Sequence, residues 1–427
     1  MFVRRLSKRV LYVAGFLLFC VSVVSLDCHF WTLCLCNESH SLFCLNYTKD
    51  THSSSKRHAK DDIVASSKVR EGQENGKSST NSRNIAVTRT DDSHSLPSNG
   101  TSSKRKLILF WTPKLEADDW TWGLGSDPFR ACEYSQCEFT KDKSRVDEAV
   151  MLLFYCREEP HFPVVRHSHQ LYAHFSREPP YQVKDDYSMY SAAINMTISY
   201  RRDGNLHLPY FEMAKYEDRR DPYRPRIAFS RKSKDVVWMT SNCQPESKRN
   251  LYADELRKHI GIDVYGRCGN FSCKLGTGGN IYEPCFSRFE EQYKFYLSFE
   301  NAICRDYFTE KLSNPMNSEL VPIVLGGADY DLELPKHSFI NVGDFRSPKH
   351  LARFLSSMSE KEYYKYFEWK SEYFVRNPSI QCKLCEFLHR SAYARGEKVH
   401  PPYVNNYTAW MYDSCDNSFV DSMKSKW

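Results

Sequence analysis

Short apolar runs, each closed by charged or turn-forming residues, recur along the chain from Lys106 onward. Runs this short suit strands better than helices. The first half offers Lys106–Trp111 (KLILFW), Glu148–Tyr155 (EAVMLLFY), Leu171–Ser176 (LYAHFS) and Asn195–Tyr200 (NMTISY). In the second half two periods alternate. Strands are predicted at Val236–Thr240, Ile262–Tyr265, Phe295–Phe299, Val321–Leu325 and Ser338–Val342, with helices at Ser247–Ile260, from Thr309, and at Pro348–Met358. Such alternation predicts a mostly parallel, doubly wound α/β sheet. Asp218 to Lys234, rich in charge and broken by prolines, reads as a linker between two domains.

Ahead of this region the pattern changes. Arg4, Arg5, Lys8 and Arg9 precede Val10–Leu26, seventeen residues without a charge. That length is at the lower edge for a membrane-spanning helix, and the basic flank favours a cytoplasmic N-terminus. A cleaved secretory signal is the alternative; either places the remainder in a lumen. Thr51 to Lys104 has no aromatic residue and no cysteine, and predicts a flexible stem.

Composition adds three points. A net charge of +6 over 427 residues, with much of the excess base in the first hundred, argues against a nucleic-acid partner. The aromatic share of 14% serves cores first and sugar stacking second. Sixteen cysteines and six sequons, at Asn37, Asn46, Asn99, Asn195, Asn270 and Asn406, fit an oxidising, glycosylating compartment. Cys28, Cys34, Cys36 and Cys44, clustered past the apolar span, are candidates for linking two chains into a dimer, with local pairing or no bond as open alternatives.

The densest chemistry lies in Tyr293–Leu325, YKFYLSFENAICRDYFTEKLSNPMNSELVPIVL. A strand ending in Glu300-Asn301 is followed by Thr309-Glu310-Lys311 at a predicted helix start. Ligands of α/β sheets sit at the carboxyl ends of strands, and a capped helix N-terminus with a first-turn lysine suits a phosphate. This stretch closely resembles the donor-sugar motif of the α1,3-fucosyltransferases, YKF-x-L-x-FEN-S-x5-Y-x-TEK. Ser241-Asn242-Cys243 with Arg249, Ile262-Asp263-Val264-Tyr265-Gly266, and Phe339 to Leu355 (FINVGDFRSPKHLARFL) resemble three further family blocks in the right order.

The resemblance implies the GT-B architecture, two Rossmann-like domains facing a cleft, behind a transmembrane anchor and disordered stem. The expected division is a cytoplasmic tail (1–9), a signal anchor (10–26), a lumenal stem (27–105), an acceptor-side domain (106–217), a linker (218–235), a GDP-fucose domain (236–375) and a C-terminal segment (376–427). It further implies a single-pass type II Golgi membrane protein that moves L-fucose from GDP-fucose, with inversion, to the 3-hydroxyl of GlcNAc on an N-glycan or glycoprotein acceptor.

Glu178, in Arg177-Glu178-Pro179-Pro180 after Leu171–Ser176, matches the family base; Pro179 replaces the usual serine, and an exposed strand-end glutamate is the bland alternative. Arg249 and Lys311 are the expected cations for the departing diphosphate. Asn301, Tyr307 and Glu310 are expected to line the donor pocket, and Tyr265 and Gly266 to shape its guanine side. Disulfides tying Cys382 and Cys385 to Cys132 and Cys137 are implied by the resemblance, in preference to a metal site. Val165 to Ser176, with His167, His169 and His174, is a candidate acceptor contact.

Two departures count against activity: Pro179, and a segment of eight residues, Ser313 to Leu320, that contains Pro315 and is expected to end or kink its helix. A catalytically impaired, donor- or glycan-binding family member is therefore the competing reading. Asp329-Tyr330-Asp331 has the form of a manganese-binding D-x-D, but protein cations are expected in that role, with no required metal and Mn2+ or Mg2+ at most stimulatory. Core and antennal acceptors both stay open. Cysteine placement, including Cys268, Cys273 and Cys304, is more similar to invertebrate core-type members.

Overall fold

The computed structural model describes residues 30–36, 42–48 and 105–427, apart from 113–121, 156–160, 183–187, 192, 219, 277–280 and 401–405. The predicted anchor, Cys28, Asn37, Asn99 and most of the stem lie outside the described residues. No described helix is long and apolar enough to cross a membrane. Within the predicted stem, β1 (Phe30–Cys36) and β2 (Leu42–Thr48) form an antiparallel pair with Cys34 opposite Cys44; Asn46 lies in β2. Their aromatic and β-branched residues favour strand, and both strands precede the stretch from Thr51 expected to be flexible.

Two parallel sheets organise residues 96–427. The first holds β3 (Lys106–Phe110), β4 (Cys137–Thr140), β5 (Met151–Tyr155), β6 (Leu171–Ser176), β7 (Met196–Ser199) and β8 (Leu206–His207), in the order β4-β3-β5-β6-β7-β8. After a crossover that includes β9 (Glu212–Lys215), the second holds β10 (Lys234–Met239), β11 (Ile262–Tyr265), β12 (Tyr293–Phe299), β13 (Val321–Leu325) and β14 (Ile340–Asn341), in the order β11-β10-β12-β13-β14. All pairings in both are parallel. β5 and β6 are buried at every position because a parallel sheet is covered on both faces. In each sheet the second strand lies outside the first and the third on its other side, so winding reverses there. That reversal opens a crevice at the strands' carboxyl ends.

Some elements differ from expectation. The run from Glu148 first completes a 3-10 turn (Lys143–Glu148), and β5 starts at Met151. β4, short and of mixed polarity, and the helix Glu283–Gln292 carry weak sequence signals. That helix starts with Pro284 and buries Cys285, Phe286 and Phe289 on one stripe. The linker is fastened rather than loose: both Glu319 carboxylate oxygens accept from its backbone, from Arg226 at 2.6 Å and from Ile227 at 2.9 Å.

The C-terminal segment serves both lobes. β15 (Tyr373–Arg376) pairs antiparallel with β9 at the crossover. Helix Ile380–Arg390 then packs Leu384, Cys385 and Leu388 into the first lobe's core, where Cys382 bonds Cys132 and Cys385 bonds Cys137. These bridges close loops of 250 and 248 residues. Closing one loop that long stabilises by on the order of 5 kcal/mol in the chain-entropy account. Cys137, Cys385 and His389 cluster, but the two sulfurs are already spent on each other. The last helix, Phe419–Lys424, returns Val420 and Met423 to the second lobe's core.

His174, a candidate acceptor contact from sequence, is instead a core residue of β6, 1% exposed, with its Nδ1 on the Tyr407 hydroxyl. β6 is covered on both faces, so no residue in its middle reaches a ligand. Burial pushes the His174 pKa down to about 3. Unfolded, the ring takes a proton near pH 6.5, so stability falls as pH drops below that value and continues to fall toward pH 3. The loss by pH 5 is about 2 kcal/mol. In His174→Gln, which keeps a partner for Tyr407 but does not titrate, the thermal midpoint should fall less between pH 7 and pH 5 than in the parent. Equal falls would discard this account.

Candidate active site

At the reversal point of the second sheet, residues after β10 and β12 line a cleft of about 380 Å³. Arg249 opens the helix Arg249–Arg257 and is 2% exposed. Its Nη1 donates to the Phe299 carbonyl at the end of β12, and its Nη2 to Thr240 Oγ1 at 2.9 Å, beyond the end of β10. Its Nε is buried without a partner among the described residues. Burial pushes this guanidinium's pKa down, yet an arginine stays charged. The loop before it is tied to the same strand end: Ser247 donates its amide to the Asn301 carbonyl at 3.0 Å and its hydroxyl to the Glu300 carbonyl at 2.7 Å.

Glu300 is 1% exposed and organises the next helix, Glu310–Asn317. Its Oε1 accepts from the Thr309 amide and hydroxyl, both at 2.9 Å. Thr309 in turn caps the helix, its hydroxyl accepting from the Lys311 amide at 3.3 Å and from Lys311 Nζ at 2.8 Å. Lys311 Nζ also lies 3.2 Å from Glu300 and 3.2 Å from Glu310. Burial alone would lower the lysine, but the facing Glu300 and Glu310 carboxylates overturn it and hold its pKa above the usual range. Burial pushes Glu300 up against the pull of Lys311. For Glu310 burial acts in the same sense, but Lys311 and hydrogen bonds outweigh it and keep the carboxyl low. Pro315 lies in the second half of this helix, which ends at Asn317, and the capped first turn is intact.

The first lobe supplies the opposite wall. Glu178 follows β6, its amide donating to Ser176 Oγ at 3.3 Å, and its Oε1 accepts from the Tyr210 hydroxyl at 3.1 Å. Tyr307 is 1% exposed and meets Tyr200 edge to face at 4.9 Å between ring centroids. Glu178, Arg249, Asn301, Tyr307, Glu310 and Lys311 thus line one cleft. Asn301 Oδ1 is buried there with no partner among the described residues.

Tyr265 departs from expectation. It is 3% exposed and packs on Phe289 and Phe271 at 4.7 and 5.2 Å, away from the cleft lining. As the last residue of β11 it alternates into the aromatic core. Gly266 acts indirectly: at φ +92° a Cβ would stand 2.6 Å from the Thr240 carbonyl, so only glycine allows this loop against the cleft wall. Cys243–Cys268 staples the same two loops. Cys273 pairs with Cys285 and Cys304 with Cys415. Arg267 and Tyr210 also line the cleft and were not singled out from sequence; adjacency of Arg267 to Gly266 is the one signal that points to it. Asp329 does not face the cleft; it caps a short helix through Leu332 at 3.2 Å. Asn270 and Asn406 are exposed, while Asn195 is half-buried and its Oδ1 accepts the Tyr172 amide at 2.8 Å.

The arrangement can bind an anion among Arg249, Arg267, Lys311 and a helix N-terminus, and can hold a carboxylate opposite it. A model of the C-terminal region of glycosyltransferase family 10 (fucosyltransferase) matches residues 229–402, and one of the fucosyltransferase N-terminal region matches 103–211. The chain is similar to glycoprotein 3-alpha-L-fucosyltransferase A of Drosophila melanogaster, 34% identical over 306 residues, 69% of this chain and 58% of that protein. It is also similar to alpha-(1,3)-fucosyltransferase C of the same organism, 30% identical over 344 residues, 73% of this chain and 78% of that one. A crystal structure of an alpha1,3-fucosyltransferase with GDP aligns with a TM-score of 0.48 at 16% identity, over 73% of this chain and 96% of that one.

Thr309→Val removes the helix cap and the hydroxyl's hydrogen bond to a buried carboxylate, while the amide's bond to it is kept. A loss of about 2 kcal/mol is expected from urea unfolding. A loss below about 0.5 kcal/mol, the ordinary surface range, would contradict the role given to Glu300.

Proposed function

This chain belongs to glycosyltransferase family 10, the fucosyltransferases, and we propose that it transfers L-fucose from GDP-fucose, with inversion, to the 3-hydroxyl of GlcNAc on an N-glycan. The observation that carries this reading is the meeting of a first-lobe carboxylate, Glu178, with second-lobe cations, Arg249 and Lys311, in one cleft. Glu178 takes the proton of the acceptor hydroxyl as its oxygen attacks the fucose anomeric carbon. The bond from that carbon to the GDP oxygen breaks on the opposite face, through an oxocarbenium-like transition state. Charge developing on the expelled diphosphate meets Arg249, Lys311 and the positive end of the dipole of helix Glu310–Asn317. Fixed cations there are set in place before reaction, so stabilisation needs no reorganisation. The same cations take the role a bound divalent ion has in other transferases, and Mn2+ or Mg2+ at most stimulates.

The cell-level reading follows from the chain's N-terminal sequence. A signal anchor over residues 10–26 with basic residues before it supports a type II orientation with the catalytic lobes on the lumenal side, and family membership supports the Golgi as the compartment. Cysteines near that anchor offer a route to a dimer.

Three measurements test the proposal. Purified protein incubated with GDP-fucose and a panel of N-glycans should give an α1,3-fucosylated product by mass spectrometry and glycosidase digestion; GDP-fucose binding without any product would favour the impaired reading. Glu178→Gln should lower kcat roughly a hundredfold to ten-thousandfold with GDP-fucose affinity kept, and Lys311→Ala should lower it by roughly a hundredfold or more. Turnover should survive EDTA, and its complete, manganese-reversible loss would overturn the assignment of protein cations to the leaving group.

A further inference from the structure

The base proposed above is not held by its own strand alone. Tyr210 stands just past β8, at the point where the chain leaves the first lobe, and its hydroxyl donates toward Glu178 Oε1 and toward the Arg177 carbonyl, each at 3.1 Å. The Arg177 guanidinium lies over the face of the same ring, 4.5 Å from its centroid. On its other side the ring meets Tyr307 edge to face, with centroids 6.3 Å apart. Tyr307 belongs to the second lobe, in the loop between the Cys304–Cys415 bridge and the Thr309 cap. Tyr210 therefore touches the carboxylate on one wall of the cleft and the donor-side loop on the other, and it lines the cleft between them.

We propose that Tyr210 is a positioning residue, whose hydroxyl fixes the carboxylate of Glu178 for proton removal and whose ring registers that carboxylate against the donor-side loop. The inference rests on Glu178 being the base. A free glutamate at a strand end samples several rotamers, and only one directs an oxygen at an incoming hydroxyl. A hydrogen bond to one carboxylate oxygen selects the rotamer and leaves the other oxygen to accept the proton. Burial pushes the Tyr210 pKa well above its ordinary value, so the phenol stays a donor throughout the working range. The aromatic contact with Tyr307 makes the placement sensitive to the loop that precedes Glu310 and Lys311. Neither contact is between sequence neighbours: 32 residues separate Tyr210 from Glu178.

Tyr210→Phe keeps the ring and its contact with Tyr307 and removes only the hydroxyl. The expected result is a fall in kcat of about tenfold or more, in keeping with loss of a hydrogen bond to a charged group, with GDP-fucose affinity within about twofold of the parent and an unchanged thermal midpoint. Transfer should fall further than hydrolysis of GDP-fucose by water, because water can approach a displaced carboxylate from many directions and a bound acceptor cannot. An unchanged kcat overturns the proposal, and so does an equal fall in transfer and hydrolysis. Weakened GDP-fucose binding in step with a lowered midpoint assigns Tyr210 a purely structural role. Glu178→Gln, assayed in parallel, separates the two levels: retained turnover there removes the base itself, whereas a dead Glu178→Gln beside a fully active Tyr210→Phe removes only the positioning role.

Discussion

Among the described residues no carboxylate forms an ion pair with the buried Arg249 guanidinium, which is held by neutral acceptors at the ends of β10 and β12. Its donors go to the Phe299 carbonyl and Thr240 Oγ1, with the Asn242 carbonyl at 3.5 Å. The residue does two things at once. It joins the ends of β10 and β12 beyond the last of their parallel pairings, Val237 with Tyr296, and it brings positive charge to the cleft wall. The buried charge lies on the cleft lining, where the Glu300 and Glu310 carboxylates favour it against the cost of burial.

Lys311 is treated in the opposite way. It is surrounded by Glu300, Glu310 and the Thr309 hydroxyl, so its ammonium is fixed and charged before any ligand arrives. One cation is held by dipoles, the other by carboxylates. The two are therefore fixed by different means, Arg249 by acceptors at strand ends and Lys311 by paired carboxylates. Glu300 holds both Lys311 and the Thr309 cap in place.

Much of this was legible from residue order. The runs at Leu171–Ser176 and Val321–Leu325 form the fully buried β6 and β13 at those bounds, because parallel strands covered on both faces favour apolar residues, and Ile262–Tyr265 forms the edge strand β11 with Asp263 half-buried. Thr309 stands at a predicted helix start, where a threonine can cap, and its geometry is that of a cap. What the sequence hides is contact at long separation. Tyr210 and Glu178 meet only because β6 and β8 end on the same edge of the cleft. The resemblance gives Tyr265 a place at the guanine side of the pocket, but strand alternation turns it into the aromatic core. His174 likewise lies inside an apolar run, and on a strand covered on both faces such a histidine is a core residue. The pairing of Cys243 with Cys268 depends on two loops meeting over Gly266, which no spacing rule supplies.

The C-terminal segment carries one consequence for motion. Helix Ile380–Arg390 is covalently fixed to the first lobe, and Cys415, a short way downstream, is covalently fixed to the second at Cys304. Added to the ribbon of β9 and β15, this gives the lobes a tether on a second side. Any change in the spacing of the lobes has to be taken up by the chain between Cys385 and Cys415 as well as by that ribbon.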